Sequence, residues 1–436
     1  MWRQFVKIFF VAIIIEGTVR KILPEQPAWI LLIKDLLLIC AYSSFIVGRI
    51  LKRKTLLPNI GGNLLWVVFT WFTTSIVLAI LNSPTNIWLT LLGLRQYIFY
   101  FPAVLLGYYF FSTQNPERIR LTIYRYGLVI WLIFVVALIQ GCSEVFGFSV
   151  PIALSVLEVH GKYHSSFFGP IFYYTSVFDV PERLASFSFW LLLLWQGYAL
   201  SFGINATVAG SIVLSLLTIV LSGRRTGIIL GLASVLLSST FRIKRKNFLI
   251  MTLVLAVLAY VLAEVPLFNL RLKFARSTPA EELAARWQYN VGIADLVKDN
   301  YFGKGLSGLS QGAQYLNDHE IPTEFAYYGW REGILAKVAY ELGLLGLLSY
   351  LAWMGYMTLI IVVRCLRSWK WGLSWRYLCL CSMVYWISIL LWSVKGAQIF
   401  GDGLTSFLFW FTGGVALRLS LVRFKGAVDA PLHRYR

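Results

Sequence analysis

No Cys-x-x-Cys and no Asp-x-Asp occur in the 436 residues, and histidine appears only four times. Each shortage removes a class of chemistry. The five cysteines (Cys40, Cys142, Cys365, Cys379 and Cys381) are odd in number and lie in or beside apolar runs, so neither a zinc site nor a disulfide framework is supported. Without Asp-x-Asp, the metal-binding signature of many nucleotide-sugar enzymes is missing, and no metal or cofactor is expected. Charge is scarce, at 14% of residues, and lopsided: 39 Lys and Arg stand against 20 Asp and Glu, a net +19. Such an excess can mark a nucleic-acid binder, but here the cations sit in short clusters between apolar runs. That is the positive-inside pattern of membrane proteins, and no nucleic-acid partner is expected.

What the chain has in abundance is apolar surface, 58% of residues, with a mean hydropathy of +0.70. Runs near the ~20 residues that a bilayer core requires recur throughout. They fall at 5–23, 28–48, 63–81, 87–111, 122–147, 184–202, 207–222, 226–241, 247–265, 334–363, 377–394 and 404–422. The expected fold is therefore an all-α polytopic membrane protein of about 12 transmembrane helices, with one large, partly helical periplasmic loop late in the chain. The expected divisions are helices one to nine in 1–264, the loop in 265–333, helices ten to twelve in 334–422, and a cytoplasmic tail in 423–436. The N-terminus, Met-Trp-Arg-Gln-Phe-Val-Lys, has no small-residue cleavage site and reads as the start of the first span. Placing it in the cytoplasm puts Arg49-Ile-Leu-Lys-Arg-Lys, Pro116-Glu-Arg-Ile-Arg, Arg242-Ile-Lys-Arg-Lys, 364–376 and the tail on the same side. Both termini are then cytoplasmic and the 265–333 loop faces outward. The pair 207–222 and 226–241, short and joined by Gly223-Arg-Arg, is where this topology is least constrained.

The loop concentrates the polar chemistry of the chain, with Arg271, Arg276, Arg286, His319, Glu320, Glu324, Arg331 and Glu332. Its many aromatic residues, among them Trp287, Tyr301, Phe302, Tyr328 and Trp330, argue for a folded cap rather than a linker. Within 281–299, Leu283, Trp287, Val291 and Ala294 recur at helical spacing, which predicts an amphipathic helix flanked by Arg286. Gly303-Lys-Gly-Leu-Ser-Gly308 formally fits G-x-G-x-x-G, but no apolar strand precedes it, so a dinucleotide site is not supported. A turn whose backbone amides cradle phosphate, with Lys304 beside it, is the better reading. Lys337 and Glu341, four residues apart, read as a local ion pair.

Several arginines run against the inside rule. Arg95 is mid-span, where an ionised group is expensive. Arg183, Arg224 and Arg225 lie at outward span ends, and Arg286 lies in the loop. Singly, each reads equally well as a snorkelling or structurally paired side chain. Together they suggest an anion-binding cavity, because guanidinium forks match phosphate and stay charged.

Ser222-Gly-Arg-Arg-Thr-Gly, Arg286-Trp287 with Asn300-Tyr-Phe-Gly-Lys-Gly, Glu341-Leu-Gly-Leu-Leu-Gly346 and Arg183-Leu-Ala-Ser-Phe-Ser form an ordered set. With Glu16-Gly-Thr-Val-Arg-Lys and Lys34-Asp35, this set resembles the bacterial O-antigen ligase and O-antigen polymerase superfamily of envelope glycosyltransferases. The resemblance covers most of the chain through short motifs. It implies a metal-independent, inverting transfer of a glycan from a polyprenyl (undecaprenyl) diphosphate carrier to an acceptor hydroxyl, at the outer face of the inner membrane. The candidate catalytic residues are then Glu332, His319 and Arg286. The candidate diphosphate ligands are Arg224, Arg225, Arg286 and Arg183, joined by Arg95 and Lys304 from the residue reading above. Many ligases carry His-Asn where this chain has Glu332-Gly333, so the base would be a carboxylate or His319, and the departure leans toward a polymerase. Expected partners are the lipid-linked glycan donor, a glycan, lipid or protein acceptor, membrane lipid and other envelope-polysaccharide assembly proteins. The alternative from another class is a secondary transporter or lipid-linked-sugar flippase that uses Arg95 and the Lys34-Asp35 pair as midplane ion sites.

Overall fold

The computed structural model describes residues 1–22, 28–56, 62–82, 87–111, 116–146, 176–178, 181–222, 224–242, 293–298, 300–306, 333–370, 375–395 and 402–421. Helix is the only regular structure among them. The helices are α1 (Trp2–Ile22), α2 (Ala28–Leu51), α3 (Gly62–Leu81), α4 (Ile87–Leu94), α5 (Ala103–Phe110), α6 (Pro116–Gly127) and α7 (Val129–Phe146). They continue with α8 (Pro181–Phe202), α9 (Ala206–Leu221), α10 (Arg225–Arg242), the short α11 (Ala294–Val297), α12 (Ile334–Lys370), α13 (Arg376–Lys395) and α14 (Gly403–Leu419). Among the described residues, four segments are long and apolar enough to cross a membrane: Glu117–Ile139, Glu182–Phe202, Ile334–Trp369 and Arg376–Val394. Four shorter apolar helices accompany them. The expected span at 247–265 and most of the 265–333 loop lie outside the described residues.

The outer faces are apolar, the reverse of a water-soluble protein. Ile8, Val11 and Ile15 of α1 are exposed, as are Leu36, Ile39, Ile46 and Ile50 of α2 and Trp66, Phe69 and Ile80 of α3. Their helical spacing makes continuous stripes that only lipid can cover favourably. Glu16, Lys34, Asp35, Gln96, Lys337 and Glu341 are buried in the interior, because polar groups at membrane depth must find protein partners.

Small residues and aromatic rings set how the helices meet. A Cβ on Gly107 of α5 would fall on the Phe411 carbonyl, and one on Gly414 of α14 would fall on the Val104 carbonyl. The two backbones therefore lie in contact, the approach that glycine permits between membrane helices. Trp71, Trp353 and Trp410 form a stacked column across α3, α12 and α14, with centroids 5.0 and 4.8 Å apart. This column ties the late helices to the early ones, so residues far apart in sequence reach a common interior.

Two of the expected spans are interrupted, for reasons the chain supplies. Between α4 and α5, Pro102 has no N–H to give the Ile98 carbonyl, which Phe101 takes instead at 3.2 Å. Ahead of it, Arg95–Phe99 forms a π-helical turn. Such turns occur frequently at functional sites. The second interruption is in α12, where Gly343 adopts φ 67°, ψ −165°. The opened backbone is satisfied by the 300–305 segment. Lys304 N donates to the Tyr340 carbonyl at 2.9 Å, and Gly305 N donates to that of Glu341 at 3.2 Å. In return, Leu344 N and Leu345 N donate to the Asn300 and Tyr301 carbonyls at 3.1 and 3.3 Å. The Asn300 amide completes the dock on the Ala339 and Tyr340 carbonyls at 3.3 and 3.1 Å.

This interlock requires glycine on both sides. A Cβ on Gly343 would collide with Gly303 N and the Tyr301 carbonyl, and one on Gly303 would collide with the Glu341 carbonyl. Gly343→Ala also forces a side chain into a φ that costs about 1–3 kcal/mol. It should lower the unfolding temperature in detergent and let trypsin cut at the exposed Lys304. Unchanged stability and unchanged cleavage there would mean that the interlock does not hold the segment.

Candidate functional site

Five helices bring their charged residues to one cluster. Glu16 of α1 accepts two bonds from Lys34 Nζ of α2, at 2.6 and 2.8 Å, and both side chains are 4% exposed. The neighbouring Asp35 takes a different partner, Arg95 Nε in the π turn, at 2.6 Å. Tyr100 closes this group by donating to Asp35 Oδ1 at 3.0 Å while lying 3.2 Å from the Arg95 guanidinium. Arg183, at the start of α8, donates through Nε to Asp402 Oδ1 at 2.6 Å and lies 3.9 Å from Glu16. Lys34 and Asp35, adjacent in sequence, thus take different partners.

Asp402 owes its fixed position to the helix it opens. Its side chain caps α14, accepting from Leu404 N at 3.3 Å, Thr405 N at 2.9 Å and Thr405 Oγ1 at 2.6 Å. An N-cap carboxylate satisfies amides that the first turn leaves without partners, and it favours the positive end of the dipole. The same carboxylate holds Arg183 from α8, so capping and charge pairing share one side chain. One residue before Arg183, Glu182 pairs with the Arg224 guanidinium. Arg95, Arg183 and Arg224 are thereby each matched to a carboxylate: Asp35, Asp402 and Glu182.

The π turn joins this cluster to the break in α12. Its next residue, Gln96, accepts from Lys337 Nζ through Oε1 at 2.7 Å, and Tyr97 donates to Glu341 Oε2 at 2.6 Å. All four side chains are buried. Lys337 and Glu341, expected as a local pair, do attract each other, and each also hydrogen-bonds across to the π turn. The third turn feature, the 300–305 segment, does not present a free phosphate cradle, because the Lys304 and Gly305 amides are committed to α12. The Lys304 side chain is exposed, with its ammonium 5.6 Å from the Tyr340 ring centroid.

Of the residues singled out from the sequence, the structure gathers Arg95, Arg183 and Arg224 and places Lys304 on the segment docked into α12. Arg225 opens α10, but its side chain is outside the described residues, as are Arg286, His319 and Glu332. Sequence reasoning did not find Glu182, Asp402, Gln96, Tyr97 or Tyr100. Asp402 had a legible signal, an acidic N-cap immediately before an apolar run. The others had none, since nothing local distinguishes them. Among the described residues, no group of three or more His, Cys, Asp or Glu side chains could hold a metal ion.

Residues 210–351 match the family model described as O-Antigen ligase. The chain carries a domain of the O-antigen ligase/polymerase superfamily. The matched region includes Arg224, the 300–305 segment and Glu341 with the break at Gly343, so the interlock lies within the O-antigen ligase domain. Arg95, Arg183, Glu16 and Asp402 lie outside it and are joined to it through Glu182–Arg224, Lys337–Gln96 and Tyr97–Glu341. No curated protein matches the chain. The apolar helices and the matched domain together support a membrane protein of O-antigen or polysaccharide biosynthesis.

Proposed function

We propose that the protein is an inner-membrane glycosyltransferase that transfers a glycan from a polyprenyl diphosphate to an acceptor hydroxyl on the periplasmic side. The observation that carries this reading is the O-antigen ligase match across 210–351, which contains Arg224 and the docked segment. The arginine cluster supports it. In the reaction, the acceptor oxygen attacks the anomeric carbon and the bond from that carbon to the diphosphate oxygen breaks. The acceptor proton passes to a base, Glu332 or His319. The charge that develops on the departing diphosphate is stabilised by Arg224, Arg225 and Arg286, together with Arg183 and Arg95. Fixed donors aimed at developing charge are the largest single contribution in many such sites. No metal participates. Both termini are cytoplasmic and the 265–333 region caps the site.

The experiment supplies purified protein with a polyprenyl-diphosphate-linked repeat unit alone. A polymerase builds a ladder of longer lipid-linked products without added divalent metal, and the ladder persists in chelator. If the unit is extended only after a lipid core or protein acceptor is added, the protein is a ligase. If neither mixture reacts but the lipid-linked unit moves between leaflets, the enzyme reading fails and the flippase reading stands.

A further inference from the structure

Each arginine of the cluster has a carboxylate partner, but the carboxylates are not equally held. Asp402 is fixed by three bonds from the first turn of α14 in addition to Arg183, and its side chain is 10% exposed. Asp35 is held by Arg95 and Tyr100 at 9% exposure. Glu16 accepts two bonds from Lys34 and lies 3.9 Å from Arg183, at 4% exposure. Glu182 and Arg224 are 24% and 30% exposed, the most accessible carboxylate and pair in the cluster. This pair can exchange partners at the smallest cost, because neither side must first be brought back into water.

We propose that Glu182 is an intramolecular competitor for diphosphate at Arg224, displaced when the donor binds and re-paired when the lipid diphosphate leaves. This rests on the reading of Arg224 as a diphosphate ligand. A tethered carboxylate acts at a high effective concentration, so a weak or singly charged anion does not dislodge it. A diphosphate brings more charge and several acceptor oxygens to the guanidinium fork, and it wins the exchange. As the product departs, Glu182 returns to the guanidinium, which lowers the barrier to release. Glu182 touches no reacting atom; it sets the affinity and residence time of the diphosphate through Arg224.

The test measures binding and dissociation of farnesyl diphosphate on the full-length protein in nanodiscs. Glu182→Gln and Glu182→Ala should each tighten Kd by roughly two- to five-fold, the worth of an ion pair of this exposure, with the change in the dissociation rate. A Glu182 that merely positions Arg224 gives the opposite, weaker binding in both variants, and that result or an unchanged Kd overturns the proposal. Two variants are used so that either one that keeps the wild-type unfolding temperature can be read. Glu117→Gln is the charge control, since Glu117 pairs with Arg120 on α6. It should leave Kd unchanged, and an equal tightening there would overturn the proposal by assigning the effect to bulk charge. Arg224→Ala tests the underlying reading separately. If it binds farnesyl diphosphate like the wild type, Arg224 is not a diphosphate ligand, whatever the Glu182 variants do.

Discussion

Glu16→Ala is expected to destabilise the folded protein by about 3–5 kcal/mol, the cost of breaking a buried ion pair by removing one member. Lys34 would keep its ammonium at 4% exposure with neither of its two carboxylate bonds. It could deprotonate, drag α2 toward solvent or take a new partner, and each route loosens the α1–α2 contact. Arg183, 3.9 Å from Glu16, would lose part of its setting as well. Replacing both residues, Glu16→Leu with Lys34→Met, should recover most of the loss, because an apolar pair of similar volume removes the buried charges altogether. Thermal unfolding in detergent, with the folded yield from membranes, reads both variants. A Glu16→Ala protein as stable as the wild type would show that this pair does not hold the cluster together.

Arg224→Ala is expected to lower turnover by ~10²–10³, the effect of losing one essential donor to developing charge. Among the arginines of the described cluster it is the informative one. Removing Arg95 or Arg183 strands Asp35 or Asp402 in a buried setting, so lost activity would be mixed with lost folding. The Glu182–Arg224 pair is more exposed, and its removal should cost ~1 kcal/mol of stability or less. Arg224→Lys keeps the charge but not the planar fork, and it should remain poor if two oxygens are gripped at once. The measurement is glycan transfer by variants matched for insertion and unfolding temperature. Near-normal transfer by Arg224→Ala would remove Arg224 from the reaction.

The fold class was legible because the bilayer writes its length into the sequence: apolar runs of about 20 residues separated by basic clusters leave few other readings. Where helices break was not read: 87–111 and 334–363 were expected as continuous spans, although they contain Pro102 and Gly343. That the 300–305 segment fills the opening at Gly343 depends on backbone hydrogen bonds between segments far apart in sequence. The same limit hid the electrostatics. Arg95 and Arg183 stood out as misplaced cations and read as an open anion cavity. Their carboxylates lie 60 and 219 residues away along the chain, so no local pattern announces that each is paired. Lys337 and Glu341 were legible as neighbours from helical spacing and do interact, but nothing local announced their hydrogen bonds to Gln96 and Tyr97 of the π turn. Short-range rules are reliable for elements and poor for networks, because burial rewards any partner that arrives, near or far in sequence.

The central claim, transfer from a polyprenyl diphosphate, is tested most directly by following the lipid product of the purified protein's reaction. With a polyprenyl-diphosphate-linked glycan and a competent acceptor, each new glycosidic bond should release one polyprenyl diphosphate, with both phosphates intact. Release of polyprenyl monophosphate, or loss of the donor from one leaflet with no free lipid diphosphate formed, would contradict the account.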